Sequence, residues 1–374
     1  MGHTYTVEKN YPEALKYVNR LIKINPKDAH SMWLRAGIYR SMPDLPKSLA
    51  DMNVVLKLEP HNPLYLVDRA TTYLHLRKFT LANRDIDEAI LLDPGYATAY
   101  YIRSHLRLNE GLRGRAIQDA TRAIELEGFK NGGFYFFRGC LYEGAKQYDK
   151  AISDGLKADE LTPNQSHIKV LIGRVYHRLL EPDKALRYLN EAIKLNPTDA
   201  SIYMERSGVH HTLMNWEEAV ADESKVIQYS KDPPINALIN RIRYYRSKKK
   251  FDLAIADQNK IMAYMPGKDG LFRNRSLIYE EKGDYEKAKQ DINRFLKAFP
   301  RTEDALSSRA RLNLHLKLYS DALRDVTEAI VIVPTLSSSY ELRASIYDAM
   351  GKAKEAARDR ATAKEIDRSN LPPR

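Results

Sequence analysis

Cysteine is nearly absent from this chain, with only Cys140 among 374 residues. One cysteine excludes an internal disulfide framework and any CxxC metal or redox motif. The sequence also has no apolar run of membrane-spanning length. It has no Walker phosphate-binding loop, no GxGxxG after a strand and no HExxH pair. We therefore expect no transmembrane segment, no catalytic residue, no cofactor and no metal site.

The composition is apolar enough for a folded protein and is basic in balance. Hydrophobic residues make up 43% of the chain and 24 residues are tyrosine, which is ample material for a core. Segments that remain disordered are poorer in such residues. The formal net charge of +11 favours acidic partners, nucleic acid among them, without establishing one.

A small residue recurs along the whole chain at intervals of 34 or 35 residues. Most members of this column have a small residue twelve positions before them, an aromatic residue nine before and a proline twelve after, as Ser48 has Ala36, Tyr39 and Pro60. The column consists of Ala14, Ser48, Ala82, Ala116, Ala151, Ala185, Ala219, Ala254, Ala288, Ala322 and Ala356. Self-similarity at a fixed period of this length indicates a repeat architecture.

This pattern closely resembles the tetratricopeptide repeat, whose 34-residue unit has a small–aromatic pattern in its first helix and Ala and Pro in its second. The resemblance covers the whole chain. It implies an all-α, right-handed superhelical solenoid of antiparallel helix pairs, with a concave groove lined by the first helix (helix A) of each repeat. A single helix pair cannot bury its apolar face, so neighbouring pairs must stack.

We expect one continuous solenoid over residues 1–374. It comprises a partial first repeat (1–28), ten further repeats (29–368) and a short tail (369–374), and the repeats are numbered one to eleven in chain order. In register, Met1 falls seven residues into a helix A, yet Gly2 and Tyr5 match their columns. This predicts that residues upstream of Met1 complete the helix. Unless such a segment carries a signal or an anchor, we expect a cytoplasmic protein.

Arginine and aspartate recur sixteen residues apart, once per repeat. The pairs are Arg35 with Asp51, Arg69 with Asp85, Arg103 with Asp119, Arg138 with Asp154, Arg206 with Asp222, Arg241 with Asp257, Arg275 with Asp291, Arg309 with Asp325 and Arg343 with Asp359. The sixth repeat replaces both members together, with Ile172 and Tyr188. Joint replacement leaves no unpaired charge, as partial burial demands. We interpret the pairs as structural salt bridges; a ladder of arginines that binds phosphate is the alternative.

One helix A column that lines the groove in the tetratricopeptide family is apolar in repeats two to eight and polar in the last three. Its apolar members are Trp33, Val67, Tyr101, Phe136, Val170, Met204 and Ile239. Bulky groups exposed in a groove mark binding surfaces. We expect part of this stripe to face a partner, with Trp33, Tyr101 and Phe136 first. The alternative is packing between adjacent A helices.

Basic residues gather on the groove columns beyond the middle of the chain. They are Arg174, His177, Arg178, His211, Arg243, Arg246, Arg273 and Arg311. Arginine side chains bind carboxylates with two parallel hydrogen bonds, so these residues suit an acidic peptide segment. A solvated charged face is the alternative. The Lys–Asn set with which some family members hold a chaperone's acidic C-terminus is missing: Trp33 with Gly37, and Val67 with Thr71, stand at those positions.

Three functions follow from the resemblance and the charge. The first is a non-catalytic scaffold that binds a peptide or protein segment along helices A of repeats two to nine, apolar at one end and acidic at the other. The second is a nucleic-acid-binding solenoid that uses the basic C-terminal half. Its aromatic residues are not interleaved with the basic ones, which disfavours it. The third is an assembly subunit of a larger enzyme or secretion complex. The sequence does not identify the partner or the oligomeric state.

Overall fold

The computed structural model describes residues 10–369, and every regular element in that range is an α-helix. Contacts divide the chain into two compact parts, with the boundary between Pro197 and Thr198. We call them the N-terminal and C-terminal parts. Gly2 and Tyr5, which match the repeat columns, lie outside the described residues. In each part, consecutive helices pair and the pairs stack in chain order. The all-α fold of antiparallel helix pairs expected from the sequence is therefore confirmed.

The N-terminal part contains eleven helices within its described residues. They are α1 (Tyr11–Ile24), α2 (Ala29–Ser41), α3 (Leu45–Leu58), α4 (Pro63–His75), α5 (Phe79–Leu92), α6 (Ala97–Asn109), α7 (Arg113–Leu126), α8 (Gly132–Gly144), α9 (Tyr148–Leu161), α10 (Ser166–Arg178) and α11 (Pro182–Leu195). The first is helix B of the partial repeat, and the others form the A and B helices of repeats two to six.

The C-terminal part has ten helices within its described residues. They are α12 (Ala200–Thr212), α13 (Trp216–Tyr229), α14 (Ile235–Ser247), α15 (Phe251–Tyr264), α16 (Gly270–Lys282), α17 (Tyr285–Ala298), α18 (Glu303–His315), α19 (Tyr319–Ile332), α20 (Ser337–Ala349) and α21 (Ala353–Ser369). These are the A and B helices of repeats seven to eleven.

The small-residue columns fix how closely the two helices of a pair approach. All eleven members of the Ala and Ser column that set the register have no exposed surface. The small residue of helix A lies opposite that column. A Cβ atom added at Gly173 would stand 2.8 Å from Leu189 Cγ and 3.2 Å from the Ala185 carbonyl oxygen. Contacts that short mean that even a Cβ atom at Gly173 would force its neighbours to shift, so this column accepts only small residues.

The turns between helices A and B share one backbone conformation. The residue two places before each helix B has a positive φ in repeats two to eleven, between 24° at Pro43 and 85° at Gly283. Glycine occupies this position in three repeats only. Elsewhere it is Arg, Lys, Met, Pro or Leu, as at Leu180 with φ 59°. Left-handed backbone is unfavourable for residues with a Cβ atom, so these turns carry strain.

Replacing Leu180 with glycine is expected to raise the free energy of unfolding by about 0.5–1 kcal/mol. The substitution removes a left-handed penalty of about 1–2 kcal/mol, and the added entropy of an unfolded glycine offsets about 0.5–1 kcal/mol. Leu180 is 78% exposed, so little packing is lost. Urea denaturation followed by circular dichroism measures the change. The matched reverse substitution, Gly283→Leu, should destabilise by a similar amount. A less stable Leu180→Gly variant would contradict this account.

Candidate functional site

The arginine–aspartate pairs join helix A to helix B within nine repeats. In each pair the arginine Nε donates to aspartate Oδ2 and Nη2 donates to Oδ1, at 2.6–3.0 Å. The nine aspartates that accept these bonds are buried, and they are Asp51, Asp85, Asp119, Asp154, Asp222, Asp257, Asp291, Asp325 and Asp359. No side chain among them is more than 10% exposed.

The burial of the aspartates favours structural salt bridges as the interpretation of the sixteen-residue spacing. The guanidinium groups of Arg206, Arg309 and Arg343 are each engaged by two oxygens of one carboxylate, as those of the other six arginines are. The hydrogen bonds with Asp51 raise the pKa of Arg35 above its ordinary value. The structure thus brings together every pair that the spacing suggested, with each arginine bonded to the aspartate of its own repeat.

Most of these arginines also contact the preceding repeat, which the sequence reasoning missed. Nη1 donates to a polar side chain on the preceding helix B, for example from Arg35 to Asn19 Oδ1 at 2.8 Å and from Arg241 to Ser224 Oγ at 2.9 Å. The other acceptors are Asn53, Thr121, Asn259 and Asn293. The available signal was a polar residue sixteen or seventeen places before each arginine. Each of these arginines therefore ties two neighbouring helix pairs together.

The sixth repeat keeps the same geometry with apolar groups. Ile172 has no exposed surface, and Tyr188 is buried and stacked on Tyr176 with ring centroids 5.7 Å apart. Lys169 Nζ lies 5.5 Å from the centre of the Tyr188 ring. Lys169 also reaches the preceding repeat, since its amine is 2.8 Å from Asp159 Oδ2. The apolar side chains of Ile172 and Tyr188 thus occupy the place of the ion pair, and Lys169 makes the contact with the fifth repeat.

The apolar helix A stripe is largely packed in the N-terminal part. Val67 is only 2% exposed. The indole of Trp33 donates to Asp68 and lies 6.1 Å from the Tyr65 ring. The ring of Tyr101 stacks on Phe134 at 4.7 Å, and burial raises its pKa. Phe136 meets the His167 ring edge-on at 4.7 Å. These contacts join adjacent A helices, so this half of the stripe serves packing between repeats.

The rest of the stripe is more open. Val170 is half-buried, Met204 is 56% exposed and Ile239 is 36% exposed. Both of the exposed members lie in the C-terminal part. A partner that needs apolar contacts on helices A therefore finds more accessible side chains there.

Most of the predicted basic residues are paired with acids of neighbouring helices. Arg174 forms a two-fold contact with Glu143 at 2.6 and 2.7 Å, and Arg311 Nε lies 3.2 Å from Glu280. The others with acidic partners are Arg246 with Glu281, Arg273 with Asp304 and His211 with Glu223. His177 is half-buried. Arg178 and Arg243 are exposed and have no acidic partner among residues 10–369.

A cavity of about 570 Å³ lies between α12, α13 and α14, beside Arg243. Its apolar walls are Trp216, Val220 and the Tyr244 ring, and its polar edge includes His211, Asn240, Arg243 and Lys248. Trp216 is 45% exposed and its ring lies 5.6 Å from that of His211. A second cavity of about 500 Å³ shares Arg243 and Ser247 and extends to Arg246, Phe251 and Glu281. Arg243 therefore stands between two concave surfaces.

The buried carboxylate of Glu223 contacts His211, one of the residues that line the first cavity. Glu223 is 1% exposed, and its Oε1 lies 2.8 Å from His211 Nε2. Its other carboxylate oxygen has no hydrogen-bond partner in the part of the chain that the structure describes. Burial raises the pKa of Glu223, while the contact with His211 opposes that shift. The imidazole of His211 is thus drawn toward Glu223.

Comparison with known families agrees with this architecture. Family models described as "Tetratricopeptide repeat" match residues 133–165, 170–233 and 274–337. The matched segments fall on the helix pairs and on the register derived from the sequence. The chain is a tetratricopeptide repeat protein. Its fold is that of a helical protein-interaction scaffold.

Curated relatives of this tetratricopeptide repeat protein are distant. It is 27% identical over 222 residues to "DnaJ homolog subfamily C member 7 homolog" of Schizosaccharomyces pombe, covering 59% of this chain and 42% of that protein. It is 21% identical over 257 residues to "Anaphase-promoting complex subunit 3" of the same organism, covering 68% and 38%. A shorter match, 27% over 93 residues, is to "Hsp70-Hsp90 organizing protein 3" of Arabidopsis thaliana, covering 25% and 17%. The matches thus span less than half the length of each relative.

Two solved structures illustrate the range of structural matches to this chain. A structure of Pseudomonas aeruginosa pilF covers 60% of this chain and 96% of its own, at 18% identity and a TM-score of 0.49. The APC/C hetero-tetramer Cut9–Hcn1 covers 99% and 93%, at 10% identity and a TM-score of 0.36.

Within residues 10–369, the tetratricopeptide repeat protein has no helix with the length and apolar character needed to cross a bilayer. No cluster of three or more His, Cys, Asp or Glu side chains in that range is arranged to hold a metal ion.

The sequence reasoning missed Trp216 and Tyr244 as cavity walls. Trp216 begins helix B and Tyr244 follows Arg243 by one residue, so neither belongs to the groove columns. A usable signal was the exposed start of α13, where a tryptophan replaces the Tyr or Phe that begins helix B in several other repeats.

Proposed function

We propose that this chain acts without catalysis as a scaffold and that its C-terminal part binds a segment of a partner protein at the first cavity. The observation that carries the proposal is the half-exposed Trp216 at a concave, partly apolar surface. Tryptophan in such a setting is enriched among the residues that dominate binding energy at interfaces. Pockets with apolar walls and a few polar groups are the usual form of binding sites.

The C-terminal part is the better supported location. Tyr101 and Phe136 are engaged by neighbouring rings in the N-terminal part, whereas Met204 and Ile239 remain accessible on α12 and α14. The partner segment is therefore expected to run along α12 and α14, with an apolar side chain against Trp216. Relatives named for a multi-subunit complex and for chaperone organisation support a protein ligand.

Replacing Trp216 with alanine is expected to weaken capture of a protein partner by about 30-fold. The physical reason is loss of an aromatic anchor, for which truncation costs about 2 kcal/mol or more. A partner is first isolated by pull-down from the native source and identified by mass spectrometry. Its dissociation constant is then measured by titration for the wild type and the variant. Thermal unfolding should change little, because Trp216 is half-exposed.

The matched control is Leu253→Ala. Leu253 is 48% exposed on α15 in the same part of the chain and does not line the first cavity. This control should bind like the wild type. Equal affinities for wild type and Trp216→Ala, with Leu253→Ala as the weaker binder, would place the interaction elsewhere and refute the proposed site.

A further inference from the structure

The repeats themselves show what is unusual about Arg243. It occupies the ninth position of helix A, and arginine stands at the same position in two other repeats, at Arg174 and Arg311. Both of those arginines contact a glutamate of the preceding helix A that stands eight residues before the register alanine of that repeat. That glutamate is Glu143 for Arg174 and Glu280 for Arg311. The fold thus contains a recurring contact between an arginine and the acid one repeat earlier.

For Arg243 the equivalent place in the preceding helix A, eight residues before Ala219, holds His211 in place of glutamate. The imidazole of His211 contacts Glu223 at 2.8 Å, so it faces an acid of its own. Arg243 is exposed and has no acidic partner among the residues that the structure describes. An acidic group from another molecule can therefore meet the guanidinium as Glu143 meets Arg174.

The other cations around the two cavities are already neutralised, with one exception. Lys248 Nζ is 3.3 Å from Glu217, and Arg246 Nε is 2.9 Å from Glu281. Lys249, in the turn after α14, is exposed and lines the second cavity but not the first. Arg243 is the cation that borders both cavities and adjoins the apolar wall of Trp216 and Val220. A ligand is thus offered an apolar surface and a guanidinium side by side.

We propose that the first cavity recognises an acidic residue adjacent to an apolar one in a partner peptide, with Arg243 binding the carboxylate. This inference rests on the proposed function and names the chemistry of its partner. The apolar side chain enters between Trp216, Val220 and Tyr244. The carboxylate pairs with the planar guanidinium of Arg243, which is suited to two parallel hydrogen bonds.

The test uses a phage-displayed library of random twelve-residue peptides, selected on the full chain. The chain has only two tryptophans, Trp33 and Trp216, so a Trp33→Phe background makes indole fluorescence a report on the cavity. Each selected peptide is synthesised with its Asp or Glu and with the matching Asn or Gln. We expect the acidic form to bind about 10- to 100-fold more tightly, as hydrogen bonds to charged groups do.

Two variants separate recognition by Arg243 from general binding. Arg243→Glu should abolish the preference for the acidic form and select peptides with Lys or Arg in its place. His211→Glu combined with Glu223→Gln supplies the glutamate that serves Arg174 and Arg311, while leaving Arg243 unchanged. This double variant should pair Arg243 internally and reduce the acidic preference to near unity.

The outcomes distinguish this inference from the proposed function. Equal binding of acidic and amide peptides by the wild type, with binding still lost in Trp216→Ala, overturns the role of Arg243 and leaves the site intact. If the selection yields no peptide whose binding depends on Trp216, both the proposed binding site and the role of Arg243 are overturned. A single-stranded RNA oligomer that binds through Arg243 when acidic peptides do not bind overturns the inference in favour of nucleic acid.

Discussion

Asp85→Ala is expected to lower the free energy of unfolding by about 3–5 kcal/mol, the range found when one member of a buried ion pair is removed. Asp85 is 3% exposed and accepts hydrogen bonds from Arg69 at 2.7 and 2.8 Å. Alanine leaves the guanidinium partly buried without its carboxylate partner, with the Asn53 hydrogen bond and the Tyr73 ring remaining. Asp85 suits this test better than Asp119, because Arg107 also lies 2.6 Å from Asp119.

The control copies the solution found in the sixth repeat. The double variant Arg69→Ile, Asp85→Tyr gives the third repeat the residues that the sixth repeat has at Ile172 and Tyr188. The tyrosine that stacks on Tyr188 in the sixth repeat, Tyr176, also has an equivalent in the third repeat, Tyr73. The loss in free energy of unfolding should be smaller in the double variant than the sum of the losses in the two single variants, by about 0.5–3 kcal/mol. Urea denaturation of the four proteins in the cycle gives this coupling. Additive effects would show that the pair makes no specific contribution.

Ile172→Arg is expected to destabilise the chain by about 3–5 kcal/mol, because it places a cation without a partner in a fully buried position. Adding Tyr188→Asp should recover about 0.5–3 kcal/mol of that loss, because the pair then has the spacing found in nine other repeats. Lys169 and Arg187 both lie within 5.5 Å of the Tyr188 ring centre and favour an acid there. Equilibrium unfolding monitored by circular dichroism measures both steps.

Ile172→Met is the matched control for the change in shape. A substitution that conserves volume and adds no charge should cost less than about 1.5 kcal/mol. If the double variant is no more stable than Ile172→Arg alone, the sixth repeat differs from the others in more than its two exchanged residues. The ion pairs would then depend on contacts outside the repeat.

The helix pairs and their internal ion pairs were predictable because they repeat. Arg35 and Asp51 are informative only as one of nine examples at the same spacing, and Ile172 with Tyr188 shows that the two positions change together. Helix ends followed equally well from the repeat, since Leu58 ends α3 two residues before Pro60. Packing within a repeat is determined by residues near one another in sequence, so the period contains the necessary information.

The surface was less predictable, because it depends on contacts between repeats. Tyr101 and Arg174 occupy groove columns, yet Phe134 stacks on the first and Glu143 pairs with the second. Whether a side chain in a groove column is accessible to a partner depends on which residue faces it from the neighbouring repeat. His211 and Glu223 decide the state of Arg243, and neither residue stands out by itself in the sequence.

The contacts that arginine Nη1 makes with the preceding helix B have a consequence for how the array comes apart. In a linear array, each repeat is held by its own stability and by coupling to its nearest neighbours. Arg138 supplies such coupling through Thr121, whereas the sixth repeat has the Lys169–Asp159 contact at the equivalent place. A flexible ammonium gives less directional coupling than a guanidinium held by two hydrogen bonds. Separation of the fifth and sixth repeats during partial unfolding is therefore expected to depend mainly on the two-fold contact between Arg174 and Glu143.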